Sequence, residues 1–429
     1  MPNISIQKHK MIKKSLIPIF FLFTLISFAQ EGTSSPYSFY GIGDVKFKGT
    51  ADNRAMGGLT IASDSIHINF QNPASYAALK LTAFTVGGTY LTTKLATSSQ
   101  NENARRTSLD YLAVGLPLGK FGVGFGIIPY SSVGYKIQTI IDETSSSPKT
   151  LKKYTGTGGL NKVFFGMGMQ ILPKLTIGAD VSYYFGKIET DGIQYIQNIQ
   201  YGTKENNSSD INGVTTTLGL NYTSKVTNKL TLLSSLTFAT QGNLKSVNNR
   251  TIYTVQYSNS GAELTIDPAT IDVDNTTLKL PSKLAFGMAI GEQKKWLLGA
   301  EITHQQSSNL GNRFNDINNV KFENAIKYTI GGYFVPKYNS FSNYVQKITY
   351  RAGLRYENTG LIIQNQAIND EGITFGFGMP ISGSFSNINI GFEFGKRGTT
   401  NAGLVKENYA NFTIGLSFND KWFVKKLYN

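Results

Sequence analysis

The chain has 429 residues, no cysteine and a formal charge of +14. That length suits several ordinary domains or one large β structure, and zero cysteine excludes a disulfide framework, thiol catalysis and zinc–thiolate sites. Forty-four glycines, 27 phenylalanines and 23 tyrosines against 16% charged residues point to an all-β chain rich in turns and interfacial rings.

Residues 1–29 read as a signal peptide. Lys8, Lys10, Lys13 and Lys14 make a basic region, and Ser15 to Phe28 an apolar one of about 14 residues. Ser27 and Ala29 sit at −3 and −1 of a cleavage site that leaves Gln30 first. An uncleaved anchor would need about 20 apolar residues. Removing four lysines from +14 leaves about +10. Such a surface suits outer-membrane lipids and lipopolysaccharide phosphates. Export and the lack of a nucleic-acid motif argue against nucleic acid.

Residues 30–80 precede the first strand and read as a periplasmic hatch or plug. Within them Asn72-Pro73 reads as the cap and first residue of a short helix, with an ordinary Asn-Pro turn as the alternative. Period-2 alternation then dominates, and the segment 81–418 reads as an all-β, transmembrane antiparallel barrel. About fourteen strands are expected, near 82–91, 109–118, 121–130, 161–171, 174–185, 213–224, 229–240, 282–291, 295–304, 325–335, 347–357, 372–380, 386–395 and 408–418. Connections alternate short and long. Gly119-Lys120, Pro173-Lys174 and Thr227-Asn228 are short turns, whereas 92–108, 131–160, 186–212, 241–281 and 305–324 read as long loops. That alternation fits periplasmic turns and extracellular loops, with 336–346 long for a turn.

Charged strand residues fall on the polar face, which is read as the lumen. They are Asp180, Glu301, Arg351, Arg355 and Glu393. The arginines would neutralise neighbouring carboxylates or meet a ligand carboxylate. In the third barrel strand Gly126 and Pro129 mark a possible kink, since proline removes a ladder hydrogen bond. Alternatively the strand ends at Ile128. Residues 419–429 form a periplasmic tail, where Trp422 and Phe423 suit the interface and Lys421, Lys425 and Lys426 suit anionic headgroups or an envelope protein. His9, His67 and His304 are the three histidines and do not make a catalytic or metal constellation, so no catalytic residue, metal or cofactor is expected.

Arg54, Ala55, Gly57 and Gly58, followed by Ala62 and Asp64 and then by Asn72, Pro73 and Ala74, resemble the hatch signature of the FadL-like outer-membrane family. "SPYSFYGIGD" with "NRAMGG" looks like its Bacteroidetes-type branch. The resemblance implies a fourteen-stranded barrel plugged by its N-terminal segment and passive transport of fatty-acid-like hydrophobic molecules. It also leaves open a non-transport subunit of an outer-membrane complex, for example in secretion or assembly machinery. Possible partners are then a hydrophobic ligand or other envelope proteins.

Overall fold

The computed structural model describes residues 32–47, 49–61, 64–142, 148–257, 263–314 and 320–422. The signal-peptide residues, Ala62, and the tail residues Phe423, Lys425 and Lys426 lie outside them. A two-residue strand β1 (Asp44–Val45) belongs to the N-terminal segment. The wall begins with β2 (Thr82–Ala96), β3 (Asn101–Leu118), β4 (Phe121–Ile141) and β5 (Thr150–Leu172). It continues through β6 (Leu175–Ile196), β7 (Gly202–Lys225) and β8 (Leu230–Ala239). An arm of β9 (Gly242–Tyr257), β10 (Glu263–Ile271) and β11 (Thr276–Leu280) then leaves the wall. The wall resumes with β12 (Lys283–Glu292) and β13 (Trp296–Gln305), and β14 (Val320–Phe322) is a short loop strand. It ends with β15 (Ala325–Phe334), β16 (Thr349–Ile363), β17 (Gln366–Pro380), β18 (Asn387–Arg397) and β19 (Lys406–Asp420).

Fourteen of these strands pair antiparallel with their neighbours, and β19 closes on β2 from Lys406↔Ala96 to Asp420↔Thr82. Closure leaves no free edge in hydrocarbon, where an unpaired backbone group is costly. Alternation sets the two faces. On β12, Leu284, Phe286 and Met288 are exposed outward, while Ala285 and Ala289 are buried inward. On β19, Ile414 and Phe418 face outward and Thr413 and Ser417 face the lumen.

Two expectations change. The long segments at 92–108, 131–160, 186–212 and 241–281 are mostly paired strand, not loop: β5, β6 and β7 run 23, 22 and 24 residues, and β9 to β11 fill most of the last. Beyond the lipid-facing alternation, stretches such as 136–141 are exposed residue after residue, so their sequences lack the apolar period that marks the wall. Nor does the third wall strand end at Ile128. It passes through Pro129 to Ile141. Its pairing with β3 stops at Leu112↔Ile127, and its register with β5 shifts between Pro129 and Ser131. Just past that bulge, Gly159 and Gly158 of β5 pair with Ser132 and Val133 and have φ of +148° and +102°. Backbone of this kind suits glycine, which has no Cβ to clash.

The lumen is filled by the N-terminal segment, and inward glycines make room for it. A Cβ on Gly178 would lie 2.4 Å from the Ala74 nitrogen, and one on Gly353 would lie 2.3 Å from the Gly57 nitrogen. Gly122, Gly168 and Gly331 meet hatch backbone in the same way, and Gly376 meets the Ala55 methyl group. Hatch backbone therefore rests directly on wall backbone around the barrel.

Candidate functional site

Three pieces of the hatch lock into the wall. The first is a 3-10 helix, Pro36–Phe39, capped by Ser35, whose Oγ accepts from the Tyr37 N–H. Gly41 follows with φ of +58°. Its N–H donates to Asn312 Oδ1 (2.9 Å), and its carbonyl accepts from Arg313 Nη1 (2.9 Å). Arg313 is only 2% exposed, so the segment between β13 and β14 reaches into the lumen to grip the hatch. β1 then pairs with β4 at Ser131 and Ser132, beyond the point where β3 and β4 stop pairing.

The second piece is α1 (Ala51–Arg54) and the turn after it. Arg54 Nη1 donates to Thr89 (2.6 Å) and Thr413 (3.2 Å), lies 3.6 Å from Asp110 Oδ2, and its guanidinium covers the Phe47 ring. Ala55 packs on Gly376. Gly57, with φ of +71°, donates its N–H to Thr374 Oγ1 (2.8 Å), and Gly58 returns its N–H to the Asn53 carbonyl (2.9 Å). Thr60 gives both its N–H and its hydroxyl to Glu301 Oε2.

The third piece is a 3-10 helix, Pro73–Ala78, with Asn72 as its N-cap. Asn72 Oδ1 accepts from the Ala74 N–H (3.0 Å), while its Nδ2 donates to Asn221 Oδ1 (2.6 Å) and Ser235 Oγ (2.8 Å). One fully buried side chain thus starts the helix and ties it to β7 and β8. Phe70 packs on Tyr111 and Phe164.

His67 forms a separate latch at the end of the barrel where the strands are joined by short turns. Its Nδ1 donates to Asp64 Oδ2 (2.6 Å), and its Nε2 lies 3.2 Å from Asn389 Nδ2 on β18. Burial opposes the charge on His67, but Asp52 and Asp64 outweigh it and raise its pKa. Burial likewise works against the Asp64 carboxylate, but His67 and the N–H groups of Ile66 and Ser65 lower its pKa to about 2.

The five predicted lumen charges all point inward but do not form one cluster. Arg355 pairs with Glu393 (2.8 Å) and Asp370 (3.2 Å). Arg351 donates to Asn389 (2.9 Å), Glu301 holds Thr60, and Asp180 accepts from Ser182. Gly126 lies on the inward face of β4, where a Cβ would lie 2.4 Å from the Leu112 carbonyl oxygen. Sequence reasoning missed Asp44–Arg397 (2.6 Å), Ser35–Glu407 (2.5 Å) and Asp370. Arg397, Glu407 and Asp370 lie just beyond the predicted strand ends. Tyr409, whose hydroxyl donates to Asp370 (2.7 Å), shares the parity of Asn411 and was readable as lumenal.

A cavity between hatch and wall measures about 350 Å³. Its lining includes Lys46, Arg54, Lys283, Lys327, Arg355 and Arg397, together with the carboxylates of the ion pairs above. Ile42, Phe47, Leu91, Leu310, Phe322 and Leu361 line it as well, so charged and apolar side chains share the chamber.

The fourteen-stranded wall with an N-terminal segment in its lumen is the fold of the FadL-like outer-membrane channels. The Pseudomonas putida toluene transporter TodX is similar at a TM-score of 0.59 and 15% identity, over 89% of this chain and all of that one. The Ralstonia pickettii toluene transporter TbuX is similar at 0.57 and 14%, over 87% of this chain and 99% of its own. A Pseudomonas aeruginosa FadL homologue is similar at 0.55 and 12%, over 89% and 99%. No curated protein sequence matches the chain. The BamG family model matches residues 11–429, and the chain belongs to the BamG family.

Proposed function

We propose that this protein is a plugged, non-transporting subunit of an outer-membrane β-barrel assembly machinery, built on the fold of a hydrocarbon channel. The observation that carries this reading is the chamber. A hydrocarbon crossing it would displace water from Lys283 and Lys327, pass the Arg355–Glu393 pair and return no hydrogen bond to any of them, which costs free energy. The apolar cluster of Ile42, Tyr130, Val133 and Leu160 beside it is buried side chain packed on side chain. The glycine seats support the same reading, because a hatch resting backbone on backbone has little room to slide. The BamG family name points to barrel assembly machinery.

The unpaired stretch between β3 and β4 beyond Ile127 favours a second reading, transport of hydrophobic molecules with a sideways exit at the Gly126–Pro129 kink. β1 stands against that stretch and supports a closed state. Purification from native membranes in mild detergent separates the two readings. The first expects stoichiometric co-purification with the machinery's barrel-inserting subunit, and oleate uptake into proteoliposomes no faster than into empty ones. A solitary barrel that speeds uptake overturns it.

A further inference from the structure

At the periplasmic end most turns are minimal. Residues 119–120, 173–174, 226–229 and 293–295 bear lysines and no aromatic residue. The turn 335–348 differs in both length and chemistry. Its tip residue Phe341 is 99% exposed, and Tyr338, Tyr344 and Val345 beside it are exposed too.

The turn is nevertheless built. Ser340 is buried; its N–H donates to the Lys337 carbonyl and its Oγ accepts from the Asn343 N–H. Lys337 bonds across to Gln346, and the Val345 carbonyl accepts from Tyr350 Oη. The turn is also tied sideways. The Lys294 ammonium lies 4.7 Å from the centre of the Tyr338 ring, and Tyr344 Oη donates to the Pro380 carbonyl (3.0 Å). Beyond Pro380, exposed Phe385 lies under the Lys421 ammonium at 5.6 Å, next to exposed Trp422. One aromatic arc therefore runs from the β12–β13 turn to the end of β19. Within the turn its charges are Lys337 and Lys347, with no carboxylate.

We infer that this arc, centred on Phe341, is a docking surface for a periplasmic protein domain with an apolar cleft and an acidic rim. Lipid surrounds a barrel evenly, so a lipid anchor has no reason to occupy one arc of the rim. A rigid turn that holds a phenylalanine in water loses the benefit of burying it, which a partner restores. Aromatic centres ringed by charge are the usual anatomy of protein interfaces, and lysines favour acidic partners. The inference rests on the reading of the chain as a subunit of an assembly and names the face that the assembly uses.

The test places a photoreactive phenylalanine at position 341 of the full chain in intact cells, with position 174 on another turn as control. A discrete protein adduct is expected at 341 and not at 174, mapping to an acidic surface of a periplasmic domain. The double variant Tyr338→Ser/Phe341→Ser should retain about one tenth or less of that protein on purification, while Phe341→Trp retains it. Heat-dependent gel migration checks that each barrel has closed. Lipid adducts alone, equal yields at both positions, or undiminished co-purification of the serine variant would overturn the docking surface and leave the subunit reading standing. If the wild-type barrel purifies with no partner at all, the subunit reading falls and takes this inference with it.

Discussion

At the residue scale, Asn72 does two jobs that are usually separate. It caps a helix and donates two hydrogen bonds to the wall. Asn72→Ala removes the cap, worth about 1 kcal/mol, and takes one buried hydrogen bond each from Asn221 and Ser235, worth about 1–3 kcal/mol more. The expected loss is therefore about 2–4 kcal/mol of hatch docking, read as earlier cleavage within 64–80 by added protease while the barrel stays closed. The glycine seats make a sharper case. At Gly178 a side chain meets the backbone of Pro73 and Ala74, which cannot rotate away. Gly178→Val should expel the hatch and make it protease-sensitive. Gly311→Ala, where nothing lies within 4 Å, should change stability by less than about 0.5 kcal/mol. Equal sensitivity in the two variants would show that the seats do not hold the hatch.

At the element scale, the hatch carries its own pH dependence. The His67 pKa is raised in the folded state, so its ion pair with Asp64 contributes fully below the unfolded value of about 6.5. That contribution is lost as pH rises through the folded value. Asp64 has the opposite sign: its contribution is present above about 3.9 and is lost as pH falls toward about 2. Hatch protease resistance should therefore be higher near pH 5.5 than near pH 8.5, and His67→Gln should flatten that difference. An unchanged profile in the variant would remove His67 from the account. The hatch was legible in sequence because its contacts are local in character: Asn72-Pro73 is a cap, and Arg54 to Gly58 are a turn with positive-φ glycines. Wall strands were legible where lipid forces alternation. The stretches beyond that alternation were not, because exposure residue after residue imposes no period. For the same reason Arg397 and Glu407, at strand ends, escaped notice although they hold the hatch through Asp44 and Ser35.

At the scale of the whole molecule, the arm β9–β11 extends the wall beyond the membrane. β7 pairs with β8 through residues 217–225 and with β9 through 202–213, so one strand serves the barrel and then the arm. The wall does not need the arm to close, because β8 and β12 pair directly from Ala239↔Lys283 to Leu230↔Glu292. The arm instead braces the hatch from outside. Asn248 and Thr276 each donate to the Arg313 carbonyl, and Arg313 grips Gly41. Leu244, Leu278 and Leu280 of the arm also cover Ile188 and Ile211 in the cluster that holds Ile42. Replacing residues 241–281 with a short glycine–serine loop should therefore leave a barrel that still closes, seen as heat-dependent gel migration. Its hatch should nonetheless be cut near residues 36–43 at lower protease concentration, since three buried leucines at about 1.5–3 kcal/mol each and the Arg313 brace are gone. A variant that never closes would place the arm in the folding nucleus of the wall, and one with unchanged protease resistance would show that β1 and the glycine seats hold the hatch unaided.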